Sequence, residues 1–100
     1  MTPPFTIQPE AAVEANEAFN WYENQQPGLG GEFYRELTRS FEFIVENPLW
    51  SRVVYRGLRL RQLDRFPYLI VYQAKKDKVT VVSVFHGSRN PAIWKRRAKK

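Results

Sequence analysis

The residues best suited to chemistry lie together near the C-terminus, between His86 and Trp94. This segment holds the chain's single histidine and an arginine three residues after it. Imidazole exchanges protons near neutral pH, and a guanidinium binds phosphate oxygens with parallel hydrogen bonds. Joined by Arg61 from an upstream strand, His86 and Arg89 would supply an acid or base and positive charge to a site for an anionic ligand. His86 can equally serve structure, by ending a strand and hydrogen bonding to the Gly87–Ser88 loop that follows.

Two apolar strands lead into this segment. Residues 68–74 form a nearly continuous apolar run, residues 75–78 a lysine-rich turn, and residues 79–85 a second run rich in valine. β-Branched and aromatic runs of this length on either side of a short polar turn predict a β-hairpin with central, covered strands. These two strands are expected to serve packing, and the residues at their ends to serve function.

A strand upstream of the hairpin alternates strictly between leucine and arginine. In Leu58–Arg61 the leucines are expected to face the core, and Arg59 and Arg61 the opposite, partly open face of the sheet. There the two arginines would either bind a target or form a solvated surface, and a one-residue change of register would reverse the assignment. Residues 52–55 are also typical of a strand, which Gly57 ends.

The N-terminal half predicts two helices that cover one face of this sheet. Phe5–Ile7 alternates and is expected to add an edge strand. Apolar residues at helical spacing predict a helix over 9–24 and, after a loop rich in glycine, a second over 32–47, which Pro48 stops. The predicted fold class is α+β in the order β-α-α-β-β-β, with a helical hairpin packed on one face of a small antiparallel sheet.

Composition indicates one domain over residues 1–100, with 43% apolar residues. With no cysteine and one histidine, neither a disulfide framework nor a metal site nor a cofactor is expected. The N-terminal residues lack the basic segment of a secretory signal, and no apolar run approaches the roughly 20 residues of a membrane helix. A cytoplasmic protein without membrane association is therefore expected.

Charge divides the chain into two halves of opposite sign. Residues 1–50 carry two arginines and eight glutamates, a net charge of −6, whereas residues 51–100 carry fourteen basic residues and two aspartates, a net charge of +12. The asymmetry favours a basic surface that meets a polyanion or an acidic partner. The alternative is a basic domain whose charge serves solubility alone.

Several motifs resemble those of the RelE/ParE superfamily of bacterial type II toxins. They are Gly-Leu-Arg-Leu-Arg at 57–61, Arg-Phe-Pro-Tyr-x-Ile-x-Tyr at 65–72 and Val-x-x-Val-x-His-Gly-x-Arg-x-Pro-x-x-Trp at 81–94. The resemblance covers about residues 5–97 and is most specific over 66–94. It implies a small basic toxin that a cognate acidic antitoxin neutralises in a hetero-oligomeric complex. The antitoxin is expected to lay an amphipathic helix in an apolar groove, with its acidic residues meeting the basic half.

The two branches of this superfamily imply different targets. In the ParE branch the target is DNA gyrase, bound without a catalytic site. In the RelE branch it is mRNA on the ribosome, cleaved with basic residues of the sheet and a C-terminal tyrosine. Only if the protein is such an RNase would His86, Arg89 and Arg61 be its catalytic residues. Here that tyrosine position falls near Trp94–Lys95, and an indole donates a hydrogen bond or stacks on a base but exchanges no proton. This departure favours the ParE-like interpretation, and a non-toxic antitoxin-binding module is a third alternative.

The surface expected to bind the target or a nucleic acid lies at the ends of the hairpin. It comprises Arg59, Arg61, Arg65, Tyr68, Arg89, Trp94, Lys95 and Arg97. Three of its parts have structural alternatives. Tyr68, after Pro67, would fix the start of a strand, and Trp94 would cover the core. The basic tail 95–100 would be a mobile charged end or add salt-sensitive attraction to nucleic acid.

Overall fold

The computed structural model of the protein describes residues 5–98, and it has two helices packed on a five-stranded sheet. The Lys99–Lys100 end of the basic tail and residues 1–4 lie outside the described part. The elements are β1 (Phe5–Ile7), α1 (Pro9–Gln25), α2 (Leu29–Glu46), β2 (Val53–Tyr55), β3 (Leu58–Gln62), β4 (Tyr68–Lys75), β5 (Lys78–His86) and α3 (Ala92–Lys95). The predicted α+β class and the helical hairpin on one sheet face are confirmed.

The strand order in the sheet is β1-β5-β4-β3-β2, so the predicted hairpin occupies its centre. β1 is the predicted edge strand, and it runs parallel to β5, whereas the other neighbours are antiparallel. Four strands follow α2, the larger of the three or four that the sequence predicts, and β2 and β3 are the strands expected at 52–55 and 58–61. Arg56 and Gly57 turn between them with φ angles of 45° and 80°, the positive pair that is typical of a type I′ hairpin turn.

The loop between the helices is shorter than predicted, since α2 begins at Leu29 rather than Glu32. Glu23 of α1 accepts hydrogen bonds from the backbone N–H groups of Gly28 (2.9 Å) and Gly30 (3.0 Å), and so caps the start of α2. A Cβ at Gly30 would lie 2.7 Å from the carbonyl oxygen of Phe19. Gly30, one of the glycines that predicted a loop, therefore lies where the two helices pack closely, whereas Gly28 has a positive φ of 90° before the first turn of α2.

An extra residue in β5 changes which side chains face the helices. Val71 pairs with Ser83 but Tyr72 pairs with Val81, so Val82 is a β-bulge. Val81 and Val84 consequently face α1 and α2, although they are three residues apart, while Val82 faces the other way. Most residues of β5 are buried because both faces of the sheet are covered at this strand.

Both faces of the sheet carry apolar clusters. The larger cluster lies under α1 and α2 and contains Phe33, Leu37, Ile44, Ile70 and Tyr72. The smaller one lies on the opposite face, where Trp94 of α3 covers its strand residues, Leu58, Val71, Val82 and Phe85. Full burial of one such side chain contributes about 1.5–3 kcal/mol, so both clusters stabilise the fold. None of the helices within residues 5–98 is long and apolar enough to cross a membrane.

Candidate functional site

The structure brings three of the predicted site residues together at one end of the central hairpin. Tyr68 begins β4, His86 ends β5, and the two residues are direct cross-strand partners. Arg89 follows in the turn after β5, and all three line a cleft of about 200 Å³ between the sheet and α1. The wall on the α1 side consists of Glu14, Glu17, Ala18 and Trp21.

The imidazole of His86 is held by the turn that follows its strand. Its Nδ1 accepts a hydrogen bond from the backbone N–H of Ser88 (3.0 Å) and lies 2.8 Å from the Ser88 Oγ. Since an accepting Nδ1 carries no proton, the neutral ring has its proton on Nε2, and this nitrogen is then a donor. The structural interpretation of His86 is thus correct for Nδ1, and only Nε2 is left for a ligand.

Tyr68 is a partly buried donor in the same cleft. Its ring meets that of His86 edge-on, with 5.1 Å between centroids, and also packs on Tyr22. Burial raises the pKa of the Tyr68 phenol above its usual 10.0; the positive charge of Arg89 opposes this, and the carboxylate of Glu17 adds to it. The phenol therefore keeps its proton at neutral pH and donates. With His86 Nε2 and Arg89, it gives this side of the cleft two hydrogen-bond donors and one positive charge, which face the carboxylate of Glu17 on the α1 wall.

The predicted position of Arg59 and Arg61 on the open face is wrong. Arg59 pairs with Tyr72 and Arg61 with Ile70, so both side chains are on the helix side of the sheet. Arg61 places its guanidinium 4.0 Å from the ring centroid of Phe43, and Arg59 donates to the Ser51 carbonyl in the segment after α2. The predicted alternation of leucine and arginine between the two sheet faces is correct. Leu58 and Leu60, however, belong to the apolar cluster on the face away from the helices.

Because Arg61 lies on β3, it lines no part of the cleft with His86 and Arg89. The three residues predicted as a catalytic set are therefore separated.

Arg65 belongs to a corner that α2 holds in place. Its guanidinium forms an exposed ion pair with Glu32 (2.6 Å). The carboxylate of Glu36, which is buried, accepts hydrogen bonds from the backbone N–H groups of Asp64 and Arg65. Sequence reasoning missed Glu36, although a glutamate within the apolar stripe of a helix is a signal that it satisfies buried donors.

Trp94 covers the second apolar cluster, in agreement with the structural alternative predicted for it. Its side chain is 4% exposed and meets Phe85 and Tyr55 edge-on. In this position the indole cannot stack on a base, so that role is contradicted. Lys95 is exposed, with its ammonium 5.1 Å from the centroid of Tyr55.

Arg97, predicted to bind a target, instead completes the edge of the sheet. It donates to the carbonyl of Val82 (2.9 Å) and to both carboxylate oxygens of Glu14. Glu14 also accepts from the backbone N–H of Val84 (3.1 Å). β1 pairs with β5 only as far as Val81, so the two side chains satisfy edge groups that β1 leaves free.

The lysines of the β4–β5 turn were not among the predicted site residues. Lys75, Lys76 and Lys78 line a basin of about 520 Å³ on the sheet face opposite the helices. The signal was present, since three of the four turn residues are basic.

Comparison with known proteins assigns the chain to a family. A sequence model described as the ParE toxin of type II toxin–antitoxin system, parDE, matches residues 5–91. The solved structure of the chromosomal ParDE TA system from P. aeruginosa is similar in fold, with a TM-score of 0.74 at 15% identity, over 85% of this chain and 96% of that chain. No curated protein matches the chain. Because the family match covers most of its length, the chain belongs to the ParE toxin family of type II toxin–antitoxin systems.

Proposed function

We propose that this toxin inhibits growth by binding DNA gyrase, with no catalytic site of its own. The observation that carries the proposal is the dispersal of the cationic candidates. Arg61 stacks on Phe43, Arg65 pairs with Glu32 and Arg97 pairs with Glu14. RNA cleavage needs cations that converge with an acid or base on one phosphate, and these three side chains point to three different places.

The chemistry of the cleft also supports recognition. Tyr68 and His86 present donors, and Arg89 adds a positive charge beside them. Trp21, 57% exposed on the α1 wall, adds an apolar surface of the kind that anchors protein interfaces. The proposed contact is an acidic side chain of the target that enters the cleft, with Trp21 packing beside it.

The test is an assay of plasmid supercoiling and DNA cleavage with purified gyrase. The wild type is expected to block supercoiling or to trap cleaved DNA, and Arg89→Ala to require at least tenfold more toxin, since truncating an interfacial charge costs about 2 kcal/mol or more. Arg52→Ala, at an exposed arginine before β2, is the matched control. Wild type that has no effect at micromolar concentration, or equal losses in the two variants, would remove this proposal.

We further propose that a cognate acidic antitoxin binds along α2. Two adjoining grooves share Thr38, Arg39 and Glu42, and aromatic side chains line both, namely Phe5, Phe41 and Phe43 in one and Phe19 and Tyr34 in the other. Arg35 and Arg39 line this surface, and they are the two basic residues of the acidic half of the chain. An amphipathic helix with acidic flanking residues complements that pattern.

Co-purification with the antitoxin encoded beside this gene tests the groove. Arg35→Glu/Arg39→Glu should lower the affinity of the complex, whereas Arg52→Glu should not. If the double variant retains wild-type affinity, the antitoxin binds elsewhere.

Ribosome-dependent mRNA cleavage is the second candidate, favoured by the cleft itself. It places His86, Tyr68 and Arg89 beside the exposed ring of Trp21, and an exposed ring can stack on a base. Toeprinting of mRNA on ribosomes would detect new 3′ ends with wild type and their loss with His86→Ala. Unaltered mRNA in the presence of wild type would eliminate cleavage. Normal growth on expression of the toxin alone would argue against both activities and for a non-toxic antitoxin-binding module.

A further inference from the structure

The sheet face opposite the helices carries a polar, basic basin at the end of the hairpin farthest from the cleft. Thr6, Thr80, Gln73 and Leu58 form one row across β1, β5, β4 and β3, as successive register partners. The two threonines and the glutamine offer hydroxyl and amide groups to the basin. Leu58 and Val82 lie beneath it, 1% and 3% exposed, and present little apolar surface to a ligand.

Positive charge surrounds this row: the turn carries three lysines and one aspartate, Asp77, and Arg97 adds a guanidinium that is paired with Glu14. Lys75, Lys76 and Lys78 line the basin together with Arg97, and no lining residue is acidic. Within residues 5–98, the ion pairs are Arg65–Glu32 and Arg97–Glu14, so none of the three lysines takes part in one. The basin therefore holds three exposed ammonium groups without carboxylate partners.

Two features of the turn oppose stability and concentrate this charge. Lys75 and Lys78 are direct cross-strand partners, and like charges in that arrangement repel each other. Lys76 has a φ of 55°, in the left-handed region that glycine or asparagine adopts at lower cost. A bound anion would relieve the repulsion between Lys75 and Lys78.

We propose that this basin binds the phosphodiester backbone of a nucleic acid. Lysine is a mobile point charge suited to phosphate, and hydroxyl and amide donors complete the contacts to phosphate oxygens. The lining contains no aromatic side chain, so binding relies on the backbone and is independent of sequence. An acidic protein helix is disfavoured, because such a helix needs apolar anchors that Leu58 and Val82 do not provide.

The proposed site is separate from the surfaces assigned above. The basin lies at the Lys75–Lys78 end of the hairpin and on the face away from α1 and α2, whereas the cleft lies at the Tyr68–His86 end, beside α1. Nucleic-acid binding can therefore be tested with the purified toxin alone. Its result does not depend on whether the toxin binds gyrase or where the antitoxin binds.

The experiment measures the fluorescence anisotropy of short labelled nucleic acids of arbitrary sequence against salt, between about 50 and 200 mM. Duplex DNA, single-stranded DNA and RNA are separate arms, and the tightest arm assigns the source of the phosphates. The slope of log K against log salt is negative for such binding. Lys75→Gln and Lys78→Gln should each reduce its magnitude by roughly 0.9 on duplex DNA, and the double variant by about twice that. Arg52→Gln removes the same charge outside the basin and should keep the wild-type slope.

Lys76→Gly separates binding from folding. Glycine accepts the positive φ without strain, so the melting temperature should equal or exceed that of wild type while the affinity falls. Three results would overturn the proposal: wild type that binds none of the three nucleic acids, slopes in the lysine variants equal to that of Arg52→Gln, or displacement by polyglutamate as effective as by DNA. The last result would assign the basin to an acidic protein.

Discussion

Glu14 on α1 and Arg97 beyond α3 form a two-point ion pair that links the ends of the described chain across β5. The contacts measure 3.0 and 3.2 Å, and the two side chains are only 15% and 19% exposed. Glu14 also accepts from Ser83 Oγ and Val84 N. The pair thus joins α1, the open part of the β5 edge and the C-terminal segment that covers the second apolar cluster.

Glu14→Gln should lower the free energy of unfolding by about 2–4 kcal/mol, because it leaves Arg97 without a counter-charge in a mostly buried position. Urea denaturation gives the value. The double variant Glu14→Gln/Arg97→Gln should recover part of the loss, since removal of both charges ends that penalty. Additive losses in the double variant would mean that the two charges are not coupled.

Neighbouring glycines in α2 should respond to alanine in opposite directions. Gly30→Ala places a methyl group 2.7 Å from the Phe19 carbonyl oxygen, and overpacking of this kind destabilises by roughly 1–3 kcal/mol. Gly31→Ala is the matched control, since its nearest neighbour is the flexible end of Arg35 at 3.6 Å. It should stabilise the protein by up to about 1 kcal/mol through helix propensity. Thermal unfolding measures both, and a stabilised Gly30→Ala would show that the helices do not approach so closely.

Two tryptophans test the second apolar cluster. Trp94→Ala should cost roughly 3–5 kcal/mol, the loss typical of a buried aromatic side chain. Trp50, 74% exposed after α2, should change stability by less than about 0.5 kcal/mol when replaced by alanine. Equal effects on denaturant midpoints would contradict the burial of Trp94 in the second apolar cluster.

Stability should fall in alkaline solution through two tyrosines. The pKa values of Tyr22 and Tyr68 are both raised above 10.0, chiefly by burial. Below pH 10 the folded and unfolded chains both hold these protons, and the contribution is fully present. As the pH rises above 10.0, the unfolded chain releases them first, so stability is lost.

Tyr68→Phe should reduce this alkaline loss, as read from urea midpoints between about pH 8.5 and 11. Spectrophotometric titration measures the pKa of Tyr68 directly and gives the direction of its change in each variant. Arg89→Ala should raise the pKa of Tyr68 further, and Glu17→Gln should lower it. Shifts of the same sign in both variants would show that the two charges do not act on Tyr68 as the structure places them.

Much of this architecture could be read from the sequence, since the central hairpin and the helical hairpin have strong periodic patterns. The face of Arg59 and Arg61 could not, because alternation separates two faces without saying which one the helices cover. Here both faces are apolar, and Leu58 faces the smaller cluster. The bulge at Val82 was likewise missed, because valines of this strand are buried on both faces of the sheet and a change of phase therefore leaves no exposed apolar residue to mark it.

The candidate site was predicted only in part. Tyr68, His86 and Arg89 line one cleft. Their grouping could be predicted because the start of β4 and the end of β5 are adjacent in a hairpin. Arg97 and Trp94 were assigned to binding because they are basic or aromatic near the C-terminus. Their structural roles depend on contacts with Glu14 and Phe85, which lie far away or on another element. Pairings over such sequence distances leave no local pattern.

The most direct test of the central claim, inhibition through gyrase by binding, treats gyrase and translating ribosomes in parallel with the same purified toxin. We expect loss of supercoiling or trapped DNA cleavage with gyrase, an effect that Arg89→Ala weakens, and intact mRNA on the ribosomes. Cleaved mRNA with unimpaired gyrase would contradict the central claim.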